Sequence, residues 1–196
     1  MKRVTLAGRF AAAVLVVGLL GLLIWDVAHP SPGAHLAGDV AKKGDPPAPP
    51  FEGKLIGNNA TSWPAEVRRL SQGERVSLKS LRGRVVVLNF WASWCVGCKD
   101  EARSISKAAR VLRGRAIFLG VDSNDFNGAA KEFMTKYSLP FPSVADIGGS
   151  ITTGKYGIEA IPETYIVSPR GRLTSHIIGP ASVRAIQAAV QAASRS

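Results

Sequence analysis

Cys95 and Cys98, three positions apart, are the only cysteines of the chain and the residues best suited to chemistry. They follow an apolar run, Val85–Trp91, that predicts a buried strand, and they open a segment with helical periodicity. The start of a helix offers unpaired backbone N–H groups and a positive dipole end, which favour a thiolate. A thiolate is the nucleophile of disulfide exchange, and the spacing allows an intramolecular disulfide. We therefore predict a redox-active dithiol in which Cys95 attacks and Cys98 resolves.

Three other uses of a cysteine pair are open from the residues alone. A static disulfide is one, although so short a loop removes little chain entropy. Half of a zinc site is another, but it needs further ligands, and the histidines are His29, His35 and His176, two of them in a linker-like region. A c-type haem attachment site needs a histidine after the second cysteine, where this chain has Lys99. The pattern favours redox chemistry, and we expect no metal and no bound cofactor.

An apolar stretch near the N-terminus is long enough to cross a bilayer. It extends from Leu6 to Val27, with Arg9 and Asp26 as the charged residues near its ends. A signal peptide would show the same pattern, but Asp26 disfavours signal-peptidase cleavage after Ala28, so we expect an uncleaved anchor. Basic residues at positions 2, 3 and 9 precede the span. The positive-inside rule therefore predicts a single-pass protein of the bacterial cell membrane, with its main domain on the periplasmic side.

Composition divides the chain into three segments. Residues 1–28 are the predicted cytoplasmic N-terminus and membrane anchor. Residues 29–50 hold six of the twelve prolines and predict a semi-extended spacer, and residues 51–196 have the length of one domain. The net charge is +11, but no basic cluster is interleaved with aromatic residues, so we expect no nucleic-acid partner. The charge indicates a solvated basic surface, with attraction to anionic lipid or an acidic partner as the alternative.

The elements that must position the dithiol follow from periodicity. Apolar residues at spacings of three and four predict a helix from Cys95 to Leu112. A second apolar strand, Ala116–Val121, follows this helix, which implies a parallel pair with a right-handed crossover. Thr164–Val167 and Leu173–Ile178, separated by turn residues, predict an antiparallel hairpin. Other predicted elements are a strand and turn at 76–81 and helices at 128–137, 150–156 and 182–193. The predicted fold class is α/β, a central mixed sheet with helices on both faces.

This order, with a dithiol after the first long strand, resembles the thioredoxin fold. Residues 87–101, VLNFWASWCVGCKDE, and residues 156–167, YGIEAIPETYIV, sharpen the resemblance. They are similar to the signature and the cis-proline segment of the membrane-anchored, extracytoplasmic thioredoxin-like reductases, the TlpA, ResA and CcmG (DsbE) group. The similarity covers roughly residues 51–189, and the form Pro162-Glu163-Thr164 is closer to the CcmG type.

The resemblance implies a thiol-disulfide oxidoreductase that works as a reductant in cytochrome c maturation. Its substrate would be a disulfide-containing protein such as apocytochrome c, and a membrane thiol electron donor would keep it reduced. We expect a monomer. The alternatives are an oxidant that makes disulfides in secreted proteins, and an anchored assembly factor that holds copper or a partner of an oxidase.

Glu101 is the residue that we predict to transfer protons, and Asn89 bears on the same prediction. Glu101 falls on the apolar sector of the predicted helix, so its carboxylate should be desolvated, with a raised pKa that suits proton exchange with a thiol. A pairing with a nearby base is the alternative. In the resembled group an acid at this place is implicated in thiol chemistry. Asn89 occupies the position where ordinary thioredoxins carry a buried acid.

The resemblance also gives roles to the segment around Pro162. Its counterpart is a cis-proline that faces the dithiol, and the backbone of Ile161 before it can pair with an extended substrate peptide. Trp94 should pack beside the thiols or contact substrate. Glu159 and Glu163 flank Pro162, and we expect them to be surface acids rather than recognition residues.

Gly97 is a departure from the resembled group, many of whose members have proline before the second cysteine. Glycine loosens the turn and removes a fixed φ angle. A redox potential therefore does not follow from the resemblance.

Overall fold

The structure is a computed structural model that describes residues 6–28, 33, 35–42, 44–57, 65–70 and 75–196. The chain forms two compact units, residues 1–31 and residues 32–196. The first unit contains helix α1, Leu6–Ala28. Within the described ranges, α1 is the one helix long and apolar enough to cross a membrane, over Gly8–Trp25. The predicted N-terminal apolar helix is confirmed.

The second unit is built on a mixed sheet of seven strands in the order β2-β1-β5-β4-β3-β6-β7. The strands are β1 Glu52–Ile56, β2 Arg75–Ser77, β3 Val85–Trp91, β4 Ala116–Ser123, β5 Ser143–Asp146, β6 Glu163–Val167 and β7 Leu173–Ile178. Strands β3, β4 and β5 are parallel to one another, and the other neighbours are antiparallel. The predicted parallel pair and the β6–β7 hairpin are both confirmed.

Helices cover both faces of this sheet. They are α2 Leu36–Ala41, α3 Ala65–Leu70, α4 Val96–Val111, α5 Asn127–Lys136 and α6 Val183–Ala193, with a 3-10 turn at Leu78–Leu81 and a π-helical turn at Ser150–Lys155. The predicted α/β fold is confirmed.

Strand β3 runs through the middle of the core. All seven of its side chains are buried, which explains why its sequence, apart from Asn89, is apolar without alternation. Val86 belongs to an apolar cluster with Tyr156 on one face, and Val87 belongs to a cluster with Ile105 of α4 on the other. The strand therefore has a fixed position, and its carboxyl end delivers the cysteine segment to the start of α4.

The described part of the segment predicted as a spacer is folded onto the domain. Leu36 and Val40 of α2 are buried, and they lie on one side of the helix because they are four residues apart. Further along, the Ala48 N–H donates to the Gly171 carbonyl at 2.9 Å, and Tyr156 Oη donates to the Pro49 carbonyl at 3.1 Å. This differs from the extended spacer expected from the prolines. Proline lacks an N–H, but its carbonyl can still accept, so a proline-rich strand can line a sheet edge.

Candidate active site

The cysteine pair lies at the amino end of α4. Cys95 is the N-cap residue of the helix, and the two cysteines are joined in a disulfide. The Cys98 N–H points at Cys95 Sγ from 3.0 Å. Cys95 is 5% exposed and Cys98 is 2% exposed. Cys95 is thus the more exposed of the two residues and lines the neighbouring groove, and its sulfur receives a backbone hydrogen-bond donor able to stabilise a thiolate.

An apolar cluster supports both cysteines from below. Its members include Trp91 at the end of β3, Ala102 of α4 and Phe133 of α5. Trp91 and Phe133 stack with ring centroids 4.8 Å apart. The dithiol is therefore packed against stacked aromatic rings of the core.

Pro162 lies against the dithiol, as the resemblance implies. The Ile161–Pro162 peptide bond is cis, and the Ile161 carbonyl oxygen is 3.4 Å from Cys95 Sγ. Gly97 makes the close approach possible. A Cβ atom at this position would lie 3.0 Å from Pro162 Cδ and 3.7 Å from Pro180 Cγ. The glycine that departs from the resembled group is therefore the residue that lets the helix start pack tightly on Pro162.

A groove of about 490 Å³ opens beside Cys95. Trp94 forms one wall; it is 58% exposed, and its indole N–H donates to the Asn124 carbonyl at 3.2 Å. The segment from Ile158 to Ile161 forms another wall, on which Glu159 is exposed as expected. The groove offers an exposed aromatic ring, a backbone edge and one carboxylate next to the more accessible sulfur.

Glu101 is buried one turn after Cys98 and is 2% exposed. Its Oε2 accepts from Asn89 Nδ2 at 2.8 Å, and its Oε1 accepts from the Ala181 N–H at 2.8 Å. Burial raises the pKa of Glu101, and the hydrogen bonds from Ala181 and Asn89 oppose that rise without cancelling it. The predicted desolvation is confirmed. These two partners are an amide and a backbone group, not the base that the alternative required.

Asn89 connects Glu101 to the neighbouring strand. Its Nδ2 also lies 3.1 Å from Thr164 Oγ1 on β6, directly across the β3–β6 ladder. Thr164 and Asn89 are both buried. The result is a small polar network inside the apolar core, with the carboxyl of Glu101 at its centre.

Asp122 is a buried acid that the sequence analysis did not identify. It is the next-to-last residue of β4, beside Trp91 in the parallel register, and it is 1% exposed. In the described part of the chain, its Oδ1 is the buried side-chain oxygen without a hydrogen-bond partner. Burial raises the pKa of Asp122 to about 8, helped by the nearby charge of Asp125, by a hydrogen bond with Asp125 and by the charge of Asp146.

Asp125 links this acid to the loop that carries the cysteines. Its Oδ2 accepts from the Ser93 N–H at 2.5 Å, and its Oδ1 accepts from Ser93 Oγ at 3.0 Å and from the Phe126 N–H at 2.8 Å. Ser93 stands two residues before Cys95. The available signal was the run V-D-S-N-D, which places two acids at the carboxyl end of the strand parallel to β3.

The expectation that Glu163 is a surface acid is wrong. Glu163 is 8% exposed, and its Oε2 lies 2.6 Å from His176 Nε2. The reason is that β6 lies inside the sheet, between β3 and β7. His176 also stacks on Tyr165, with ring centroids 4.0 Å apart. Across the residues that the structure describes, no group of three or more His, Cys, Asp or Glu side chains could hold a metal ion.

Known proteins match this chain over its folded domain. Residues 47–176 match the AhpC/TSA family. The thiol-disulfide oxidoreductase ResA of Bacillus thuringiensis is 30% identical over 109 residues, which are 55% of this chain and 62% of that protein. ResA of Bacillus subtilis is 27% identical over 130 residues, which are 66% of this chain and 72% of that protein.

A solved structure is also similar to this chain. It is a secreted Mycobacterium tuberculosis disulfide oxidoreductase homologous to E. coli DsbE, with 28% identity and a TM-score of 0.56. The match covers 63% of this chain and 92% of the mycobacterial chain. The chain thus spans nearly all of this structure but only 62% of the length of the ResA protein from B. thuringiensis.

Proposed function

The chain belongs to the AhpC/TSA family, and we propose that it is an extracytoplasmic thiol-disulfide oxidoreductase of the ResA and DsbE type that acts as a reductant. Membership of this thioredoxin-like family confirms the resemblance drawn from the two motifs. The observation that carries the proposal is the Cys95–Cys98 disulfide at a helix start, packed against Pro162.

The reduced protein would transfer two electrons to a substrate disulfide. The Cys95 thiolate attacks one substrate sulfur, which breaks the substrate S–S bond and forms a mixed disulfide. The Cys98 thiolate then attacks Cys95 Sγ, so the second substrate thiol leaves and the Cys95–Cys98 bond forms. The substrate is reduced to two thiols and the protein is oxidised. A membrane dithiol donor then gives two electrons to the Cys95–Cys98 disulfide, which returns to the dithiol form while the donor is oxidised to a disulfide.

Glu101 would handle the proton of the second step. It lies one turn from Cys98 in the same helix, and it is buried, which raises its pKa and makes its carboxylate a better proton acceptor than an exposed one. We propose that its carboxylate takes the proton from the Cys98 thiol and that the network through Asn89 holds it in place. The leaving substrate thiolate takes a proton from water.

The groove beside Cys95 would hold the substrate peptide. An extended peptide can add its backbone to the segment that ends at Ile161, which brings a substrate cysteine to Cys95. Trp94 offers an exposed ring to the same peptide. We propose apocytochrome c as the substrate protein. The Pro162-Glu163-Thr164 form and the similarity to a homologue of DsbE both favour the CcmG (DsbE) type, for which the resemblance implies a role in cytochrome c maturation. Helix α1 supports anchoring in the membrane. The basic residues at positions 2, 3 and 9 before it favour a domain outside the cytoplasm.

Trapping of mixed disulfides tests this function. In cells that express the full chain, Cys98→Ser should accumulate reducible adducts through Cys95, with apocytochrome c among the captured proteins. Cys95→Ser is the matched control and should capture none. Adducts in equal amounts from both variants would contradict the assigned order of attack, and adducts that lack cytochromes would keep the chemistry and reject the client.

A further inference from the structure

The strand ends opposite the dithiol carry a strongly basic surface. Residues 79–84 precede β3, residues 112–115 precede β4, and residues 168–172 join β6 to β7. The register brings these three connections to the same end of the strands, because Val85 pairs with Ala116 and Val86 pairs with Val167. They contain seven basic residues and no acidic residue, and we call these seven the basic pole: Lys79, Arg82, Arg84, Arg113, Arg115, Arg170 and Arg172.

Two hydrogen bonds, one between backbone groups and one from a side chain, hold the connections of the basic pole together. The Gly83 N–H donates to the Pro169 carbonyl at 2.9 Å, which ties the first connection to the third. Arg84 donates from Nη2 to the Gly114 carbonyl at 2.9 Å, which ties the first to the second. Arg84 is half-buried and the other six cations are exposed. The charges are therefore presented on a preformed surface.

A cavity of about 250 Å³ opens within the basic pole. Lys79, Arg82 and Arg84 line it, and they supply its positive charge. Its apolar lining includes Ala48 and Pro50 together with four buried side chains, Leu78, Leu81, Val86 and Val167. An apolar floor below a cationic rim is the arrangement that suits a molecule with an anionic head and a hydrocarbon tail.

We propose that the basic pole binds an anionic phospholipid surface and that the cavity binds the phosphate group and the adjoining part of one such lipid. Two observations select a lipid over other acidic partners. The same chain carries a helix long and apolar enough to cross a membrane, and the cavity offers both charge and apolar surface. Basic groups near a bilayer are attracted by the negative potential of anionic lipids. Binding at this end of the strands would leave the dithiol, at the opposite end, open to substrate.

The inference rests on the proposed membrane location but not on the redox chemistry. The full chain in nanodiscs tests it, with phosphatidylcholine alone in one set and with added phosphatidylglycerol in the other. Hydrogen exchange of residues 79–84 and 168–172 should be several-fold slower in the discs with phosphatidylglycerol. High salt should remove the difference, because it screens exposed charges.

Two variants with the same change in net charge sharpen the test. Arg113→Gln, Arg115→Gln and Arg170→Gln together should abolish the protection, since three cations near an anionic surface account for a factor on the order of 100 in binding. Arg103→Gln, Lys107→Gln and Lys131→Gln remove three exposed cations from α4 and α5 and should leave the protection intact. Loss in both variants would mean that net charge alone acts, and it would overturn the basic pole as a site.

The cavity is tested separately with a short-chain phosphatidylglycerol and with inorganic phosphate, each added to the detergent-solubilised full chain. Native mass spectrometry should show one bound lipid and no bound phosphate, and Arg82→Ala should lose the lipid. No bound lipid would overturn the seat in the cavity.

Equal exchange of the basic pole in both kinds of disc would overturn the lipid proposal and point to an acidic protein instead. Thiol exchange by the same samples is measured in parallel. Its absence would count against the proposed function and leave the lipid result unaffected.

Discussion

Replacing Asp122 by asparagine should remove a large part of the pH dependence of folding. The carboxyl of Asp122 is 1% exposed, and burial raises its pKa from 3.8 to about 8. Between these values the folded chain keeps a proton that the unfolded chain releases. The free energy of unfolding therefore falls as the pH rises from about 4 to about 8, and it levels off above that.

The size of the effect follows from the shift. One pKa unit corresponds to about 1.4 kcal/mol, so the wild type should lose up to about 4 kcal/mol between pH 5 and pH 8 through this one group. Asparagine has nearly the same shape, does not titrate, and can still donate an N–H to Asp125. The variant should match the wild type at pH 5 and exceed its stability at pH 8.

Urea unfolding of the oxidised full chain in detergent, followed by tryptophan fluorescence at pH 5, 7 and 8, measures the difference. Asp100→Asn neutralises an exposed acid of α4 and is the control for the change in net charge. A constant difference between wild type and Asp122→Asn across this range would refute the reasoning, because it would mean that Asp122 is already ionised at pH 5.

Two further predictions concern the dithiol itself. Glu101→Gln should change the pH profile of thiol alkylation in the reduced protein, since it removes the buried carboxyl that we propose as the proton acceptor for Cys98. Glu132→Gln, on the exposed face of α5, is the control and should leave the profile unchanged. An unchanged profile for Glu101→Gln would leave Glu101 a purely structural residue. Gly97→Ala should destabilise the oxidised protein by about 1 kcal/mol, because the new Cβ meets Pro162 Cδ at 3.0 Å, and a midpoint of urea unfolding equal to that of the wild type would contradict the close packing.

The parts of the fold that could be predicted are those in which one local signal dominates. Apart from Asn89, strand β3 is apolar because both of its faces are covered, and its predicted bounds, 85–91, are those observed. Helix α4 could be predicted from its regular apolar spacing, although its N-cap, Cys95, was placed inside it. The two cysteines could be found because the chain has no others, and the Pro162 segment because its sequence resembles a known cis-proline segment.

The parts that escaped prediction depend on the partner across space. Strand β1 contains a glycine and two charged residues, so its sequence has no apolar run that would predict a strand. Its antiparallel pairing with β5 and β2 defines it. Helix α2 has six residues, and packing against the domain stabilises it more than its own sequence does. Asp122 has the identity of a surface residue, and only the neighbouring strands bury it.

The equilibrium between the reduced full chain and glutathione is the measurement that tests the central claim most directly. A reductant in an oxidising compartment should have a potential well below the roughly −120 mV of a strong disulfide oxidant, near the roughly −270 mV of thioredoxin. The ratio of dithiol to disulfide can be read from alkylation of Cys95 and Cys98 at a series of glutathione ratios. A value near −270 mV would agree with electron flow from this protein to its substrate. A value near −120 mV would contradict it and would make the protein an oxidant.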